Sequence, residues 1–154
     1  MKKILAALLF FCFGLSSFAQ EFSADLQLRP KYEYRNGYQT LLSDDEKAAS
    51  FISQRSRITF HFKNEKIATK LSMQNVRIWG DVPVSTSTDH YPVAVFEAYG
   101  TYFHNEKLQF KVGRQIVSYD NQRIFGVGDW SQKGKSHDLF LISFLPKNNM
   151  NLDL

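Results

Sequence analysis

From Phe22 to Arg35 the chain alternates without a break. Phe22, Ala24, Leu26, Leu28, Pro30, Tyr32 and Tyr34 are apolar or aromatic, and Ser23, Asp25, Gln27, Arg29, Lys31, Glu33 and Arg35 between them are polar. A period of two sends the two sets to opposite faces of a β-strand. A helix would scatter them around its circumference, and Pro30 would break it. At about 3.3 Å per residue the run is roughly 46 Å long, well beyond the usual strand of a soluble sheet. Tilted by about 40°, it crosses an apolar band of about 25 Å with residues to spare. Its apolar face is graded, with an aromatic at one end, aliphatics in the middle and two tyrosines at the other end. That is the order expected of a strand facing a bilayer between aromatic girdles. A long strand in a soluble sandwich or lipocalin-like barrel remains the alternative at this point.

Five further strands and the start of a seventh follow. The second is expected from about Ala49 to Phe62, with Ile52, Ile58, Phe60 and Phe62 opposite Arg55, Arg57, Thr59 and His61. The third runs from Ile67 to Trp79, and its apolar phase slips after Met73, so a β-bulge near Gln74 is expected to keep Val76 and Ile78 on the apolar face. The fourth, Val93 to Phe103, sets Phe96, Ala98, Gly100 and Tyr102 against Glu97, Tyr99 and Thr101. The fifth begins at Leu108, where Arg114 needs either a phase slip or a position beyond the lipid. The sixth, Ser136 to Leu145, is apolar on both faces and cannot be oriented from its pattern. Met150 to Leu154 opens a seventh.

The connections alternate long and short. Polar stretches at 36–48, 81–92 and 119–135 separate hairpins closed by tight turns at 63–66 and 104–107. Outer-membrane barrels segregate loop length in this way, with long outer loops and tight periplasmic turns. The two tight turns also repeat one another, Phe62-Lys63-Asn64-Glu65-Lys66-Ile67 against Phe103-His104-Asn105-Glu106-Lys107-Leu108. The expected fold is therefore all-β, an antiparallel up-and-down transmembrane barrel. Six or seven strands are too few to close one in lipid, where open edges leave backbone groups unsatisfied. The chain is expected to be an incomplete segment, closed by the remaining strands of a longer barrel or by self-association.

Residues 1–19 read as a signal peptide, with Lys2 and Lys3 before an apolar run from Ile4 to Leu15 and small residues at Ser17-Phe18-Ala19. The barrel portion is then 20–154, placed in the outer membrane. Cys12, the only cysteine, leaves with the signal, so no disulfide or thiolate site is expected. No later stretch is long and apolar enough for a transmembrane helix.

Net charge is +4, or +2 without Lys2 and Lys3, and its distribution says more than its sum. If the polar faces line a lumen, they carry Arg29, Lys31, Arg35, Arg55, Arg57, Lys70, Arg77, Lys111 and Arg114 against Asp25, Glu33 and Glu97. Many other acids fall in the long loops. A low-dielectric wall focuses such a field, and arginine rings are the usual device of anion pores. The alternative is internal pairing with Glu33, Glu97, Asp138 and loop acids, and the two uses can divide the residues between them.

Catalysis is not expected. His61, His90, His104 and His137 are too far apart in the pattern to form a metal site, so no metal or other cofactor is expected. Gly126-Val127-Gly128 is too short for a phosphate-binding loop, and no serine sits in a triad pattern. Export excludes nucleic acid as a partner. Trp79 and Trp130, at or in long loops, suit a girdle or packing role better than sugar stacking.

The chain resembles the alginate-export porin family of bacterial outer membranes. The likeness is carried by Arg29-Pro30-Lys31-Tyr32-Glu33-Tyr34-Arg35, Ser53-Gln54-Arg55-Ser56-Arg57, Gln74-Asn75-Val76-Arg77-Ile78-Trp79-Gly80, Phe96-Glu97-Ala98-Tyr99, Gly113-Arg114-Gln115, Gln122-Arg123-Ile124-Phe125-Gly126 and Ser136-His137-Asp138. It covers nearly all of the chain after the signal. It implies a monomeric barrel whose arginine-lined pore passes a uronate polysaccharide such as alginate, or a related anion. By that likeness Arg55, Arg57, Arg77, Glu97, Arg114, Arg123 and Asp138 become pore candidates, beside Arg29 from the polar face. Family members have far more strands. Two other functions fit the same export and strand pattern: a soluble carbohydrate-binding β-domain, and a structural or adhesive surface barrel.

Overall fold

The strands form where the period-two runs place them. A computed structural model describes residues 20–37, 43–81, 92–146 and 152–154. The expected signal peptide lies outside these residues, as do parts of the first two long loops and the start of the expected seventh strand. The strands are β1 (Glu21–Arg35), β2 (Ala49–Lys63), β3 (Ile67–Ile78), β4 (Ala94–Asn105), β5 (Leu108–Gln115), β6 (His137–Phe144) and β7 (Leu152–Asp153). They make a single antiparallel meander in chain order, which does not close into a barrel. Among the described residues no helix is long and apolar enough to cross a membrane.

The repeated tight turns have a local cause. Asn64 Oδ1 accepts hydrogen bonds from the backbone N–H groups of Lys66 and Ile67 at 2.9 and 2.8 Å. Asn105 Oδ1 accepts from those of Lys107 and Leu108, both at 2.9 Å. In each, the side-chain amide substitutes for a backbone turn, so the same residue recurs at the same offset before β3 and β5.

Register fixes the faces. Leu26 lies opposite Ile58, Ile58 opposite Met73, and Leu71 opposite Ala98, which builds one face; Gln27, Arg57 and Gln74 align on the other. The first face carries stacked aromatics. Phe22 lies 6.3 Å from Phe60, and Tyr102, Phe110 and Phe140 form a ladder at 6.5 and 6.3 Å across three strands. That ladder orients β6, which its own pattern could not: Phe140, Ile142 and Phe144 join the apolar face, and Leu139 and Leu141 join the face of Arg57.

The expected bulge near Gln74 is not in β3. Pairing between β2 and β3 runs unbroken from Lys63↔Ala68 to Ser53↔Ile78. The slip is across the next ladder, where Ser72 pairs with Glu97 and Met73 with Val95, leaving Phe96 of β4 as the extra residue. Gln74 is held in phase by Arg57, directly opposite and hydrogen-bonded to it, so β4 takes the bulge. As a result Phe96 and Glu97 are both buried, instead of facing apart as the alternation suggested. Val76 and Ile78 join the polar face, and Arg77 stays on the apolar one.

Burial is inverted relative to a water-soluble sheet. Phe96 is the only buried apolar side chain among the described residues, whereas Ser53, Arg55, Thr59, Ser72, Gln74, Glu97, Thr101, Gln115 and Ser143 are buried polar ones. Leu26 is 79% exposed and Phe140 56%. Fully burying such a side chain is worth roughly 1.5–3 kcal/mol, a gain this exposed face leaves unrealised within the chain.

Candidate functional site: arginines beneath a folded loop

The site begins with two adjacent polar-face positions on β2. Arg55 and Arg57 are two residues apart and therefore point the same way, with Arg29 of β1 directly across from Arg55. Three guanidinium groups this close repel one another unless anions or π-faces intervene. The flanking strands supply few acids at this level. The remainder comes from the loop between β5 and β6, residues 116–136, which folds back over the polar face of β1 to β3.

Asp129 is the loop's principal contribution. Arg55 Nη1 donates to Asp129 Oδ1 at 2.8 Å, and Arg29 Nη1 donates to the Asp129 carbonyl at 2.5 Å with Oδ2 3.5 Å away. Hydrogen bonding from Arg55 holds the Asp129 carboxyl below its ordinary range, helped by the charges of Arg55, Arg29 and Arg57 and opposed by partial burial. Asp129 is thus an anion at neutral pH. Arg55 itself is completely buried. Among the described residues its Nε and Nη2 have no hydrogen-bond partner, and neither does the buried Oε1 of Gln132.

Two further ties seat the loop. Gln132 Nε2 reaches the carbonyls of Arg29 and Ser53 and the Ser53 hydroxyl at 3.1–3.3 Å. Gln74 Nε2 donates to the Lys133 carbonyl at 2.8 Å, while its Oε1 accepts from Nε and Nη2 of Arg57. The Arg57 guanidinium lies 3.6 Å above the Phe96 ring, a cation–π contact that lets the bulged residue serve as floor to the site. Gly134 closes over it, and with φ at +71° a Cβ there would stand 2.9 Å from the ring. Replacing Gln132 with alanine removes one shared donor, worth about 1 kcal/mol, and is expected to raise the undocked population of the loop roughly fivefold. Trypsin cleavage after Lys133 and Lys135 reads this directly; an unchanged rate would show that Gln132 does not hold the loop.

Farther along the same face Glu97 takes Lys70 at 2.5 Å, and Lys111 Nζ sits 4.0 Å over the Tyr99 ring. Toward the opposite end of β1, Glu33 pairs with Arg35 at 2.6 Å and Lys31 at 3.7 Å.

The eight residues singled out from the sequence divide by position. Arg29, Arg55, Arg57 and Glu97 lie on one face, three of them under the loop. Arg77, Arg114 and Asp138 lie on the other, among the apolar side chains. Arg114 and Asp138 are opposite one another and doubly hydrogen-bonded at 2.9 and 2.7 Å, with no phase slip in β5. Arg77 Nε donates to Asn75 Oδ1 at 2.9 Å on that same face. Arg123 is exposed in the loop. Two fewer cations therefore stand on the polar strand face than the alternation suggested: Arg29, Lys31, Arg35, Arg55, Arg57, Lys70 and Lys111. Internal pairing of the arginines with loop acids was one of the two expected uses and is what Arg55 makes with Asp129, whereas Gln132, Gln74 and Phe96 were missed as site residues. Asp129 carried one usable signal, the shortage of strand acids near three arginines.

Among the described residues no cluster of histidines and carboxylates could hold a metal ion. No protein-family model matches the chain, and no curated protein is significantly similar to it.

Proposed function

We propose that this chain is a wall segment of an outer-membrane β-barrel whose polar face lines a passage for anionic solutes. The observation that carries the reading is the inverted sheet: Arg55 is fully buried on the polar side while Leu26, on the other, is 79% exposed. Lipid is the partner that removes the cost of such an apolar face. The alternation of tight turns with long connections supports the same reading, as does the cationic excess on the opposite side. The uronate polysaccharide implied by the alginate-export likeness is the proposed cargo class, and arginine's planar fork suits its carboxylates. Because the seven-stranded sheet has open edges, passage requires further strands or further copies to complete the wall.

In planar bilayers the reconstituted protein is expected to give anion-preferring conductance. Arg55→Glu with Arg57→Glu should lower that preference or invert it. Cation preference in the unmutated protein, or a selectivity indifferent to the double substitution, defeats the proposal.

A further inference from the structure

Asp129 is a carboxylate seated on arginines, but it uses them poorly. It meets Arg55 through Nη1 alone, and the other two guanidinium nitrogens, Nε and Nη2, are buried without a partner among the described residues. A guanidinium is built to take a carboxylate through two parallel hydrogen bonds, and that pairing is the stronger one. The backbone limits where the Asp129 carboxylate can go, because the same residue's carbonyl is engaged by Arg29 and Gln132 is fastened to Ser53 three residues on. Its side chain is also half exposed, beside a fully buried partner. The loop therefore supplies the right chemical group in a compromised geometry.

We propose that Arg29 and Arg55 form a carboxylate-binding site which Asp129 occupies as a tethered competitor, so that a dissolved carboxylate enters by displacing the loop. This rests on the anion-passage reading for the source and class of its ligand, and adds to it the particular subsite and the device that regulates access. A free carboxylate is not bound by the loop's path and can reach Nη2 together with Nη1 or Nε. It would relieve donors that Asp129 leaves unpaired. The loop has few ties to exchange: apart from the Gly134 contact with Phe96, it is held by the hydrogen bonds of Gln132 Nε2, Gln74 and Arg29 and by the ion pairs of Asp129, whose own side chain is half exposed although Arg55 is buried.

The test is binding, measured on the purified protein in detergent micelles, with glucuronate as probe and glucose as its uncharged counterpart. Removing a competitor that keeps the site closed nine-tenths of the time raises apparent affinity about tenfold. Asp129→Asn is accordingly expected to bind glucuronate about tenfold more tightly than the unmutated protein, with glucose unchanged, and Asp129→Ala should shift in the same direction. Adding Arg29→Gln to Asp129→Asn should abolish the gain. Unchanged or weaker glucuronate binding in both Asp129 variants overturns the proposal. So does an equal gain for glucose, or a gain that survives Arg29→Gln. Anion-preferring current without an affinity gain would leave the passage and remove the competitor. An affinity gain without current would do the reverse.

Discussion

Gly113→Ala is expected to destabilise the sheet by roughly 3–5 kcal/mol, combining a strained backbone with an added methyl that has nowhere to go. Gly113 sits inside β5 with φ at +123°, a conformation that side-chain-bearing residues rarely adopt. A Cβ there would collide with the carbonyl oxygen of Ala98 and stand 2.9 Å from Cα of Tyr99. Both are backbone atoms of the neighbouring strand, so no side chain can swing aside, and relief requires the β4–β5 ladder to part. That ladder positions Glu97 and the start of the loop, since Ile116 follows β5 directly and its N–H points to Glu97. Gly100 provides the control. It lies in β4 with no positive φ, and an added methyl would meet no heavy atom within 4 Å, so Gly100→Ala should be neutral or stabilising by about 0.5–1 kcal/mol. Urea unfolding followed by circular dichroism separates the two; equal midpoints for Gly113→Ala and the unmutated protein would refute the account.

The strands were legible because their cause is local. An alternation sustained over the fourteen residues from Phe22 to Arg35 admits one conformation, and the turns at Asn64 and Asn105 announced themselves by repeating one another. Faces were legible only while the alternation lasted. At Met73 the pattern demanded an extra residue somewhere, but an insertion in β3 and one in β4 both reconcile the apolar positions. The choice fell to a contact between strands, Arg57 with Gln74, and to the stacking of Arg57 on Phe96. That choice decided where Arg77 lies.

Arg114 is a different case. Alternation placed it with Leu108, Phe110 and Val112, which called for either a slip or a position beyond the lipid, and β5 contains no slip. Asp138 directly opposite neutralises it, and an ion pair across two strands is invisible to a reading of either strand alone. The loop is the third case. Nothing periodic announces that 116–136 turns inward, since its contacts to β1 and β2 join residues some 74 to 103 positions apart. The alternation nevertheless left internal pairing with loop acids as one use for the arginines, and Arg55 with Asp129 makes such a pair; which loop acid it would be was not legible.

Leu26→Arg discriminates between a sheet facing lipid and one facing water. In a bilayer, arginine near the midplane of a barrel's outer face costs roughly 2–4 kcal/mol. On a water-exposed surface, the same change falls within about 0.5 kcal/mol. Leu26 suits the test because it is 79% exposed and flanked by Ile58, so the substitution creates no cavity and breaks no hydrogen bond of its own. Ser23→Arg, three residues back and therefore on the opposite face, exposed and two residues from Asp25, supplies the same charge in the opposite environment. Refolding into phospholipid vesicles, with the unfolding free energy read by urea titration, should show the full penalty for Leu26→Arg and little for Ser23→Arg. If the two variants are equally stable there, hydrocarbon does not meet this face, and the arginines on the other side lose their claim to a lumen.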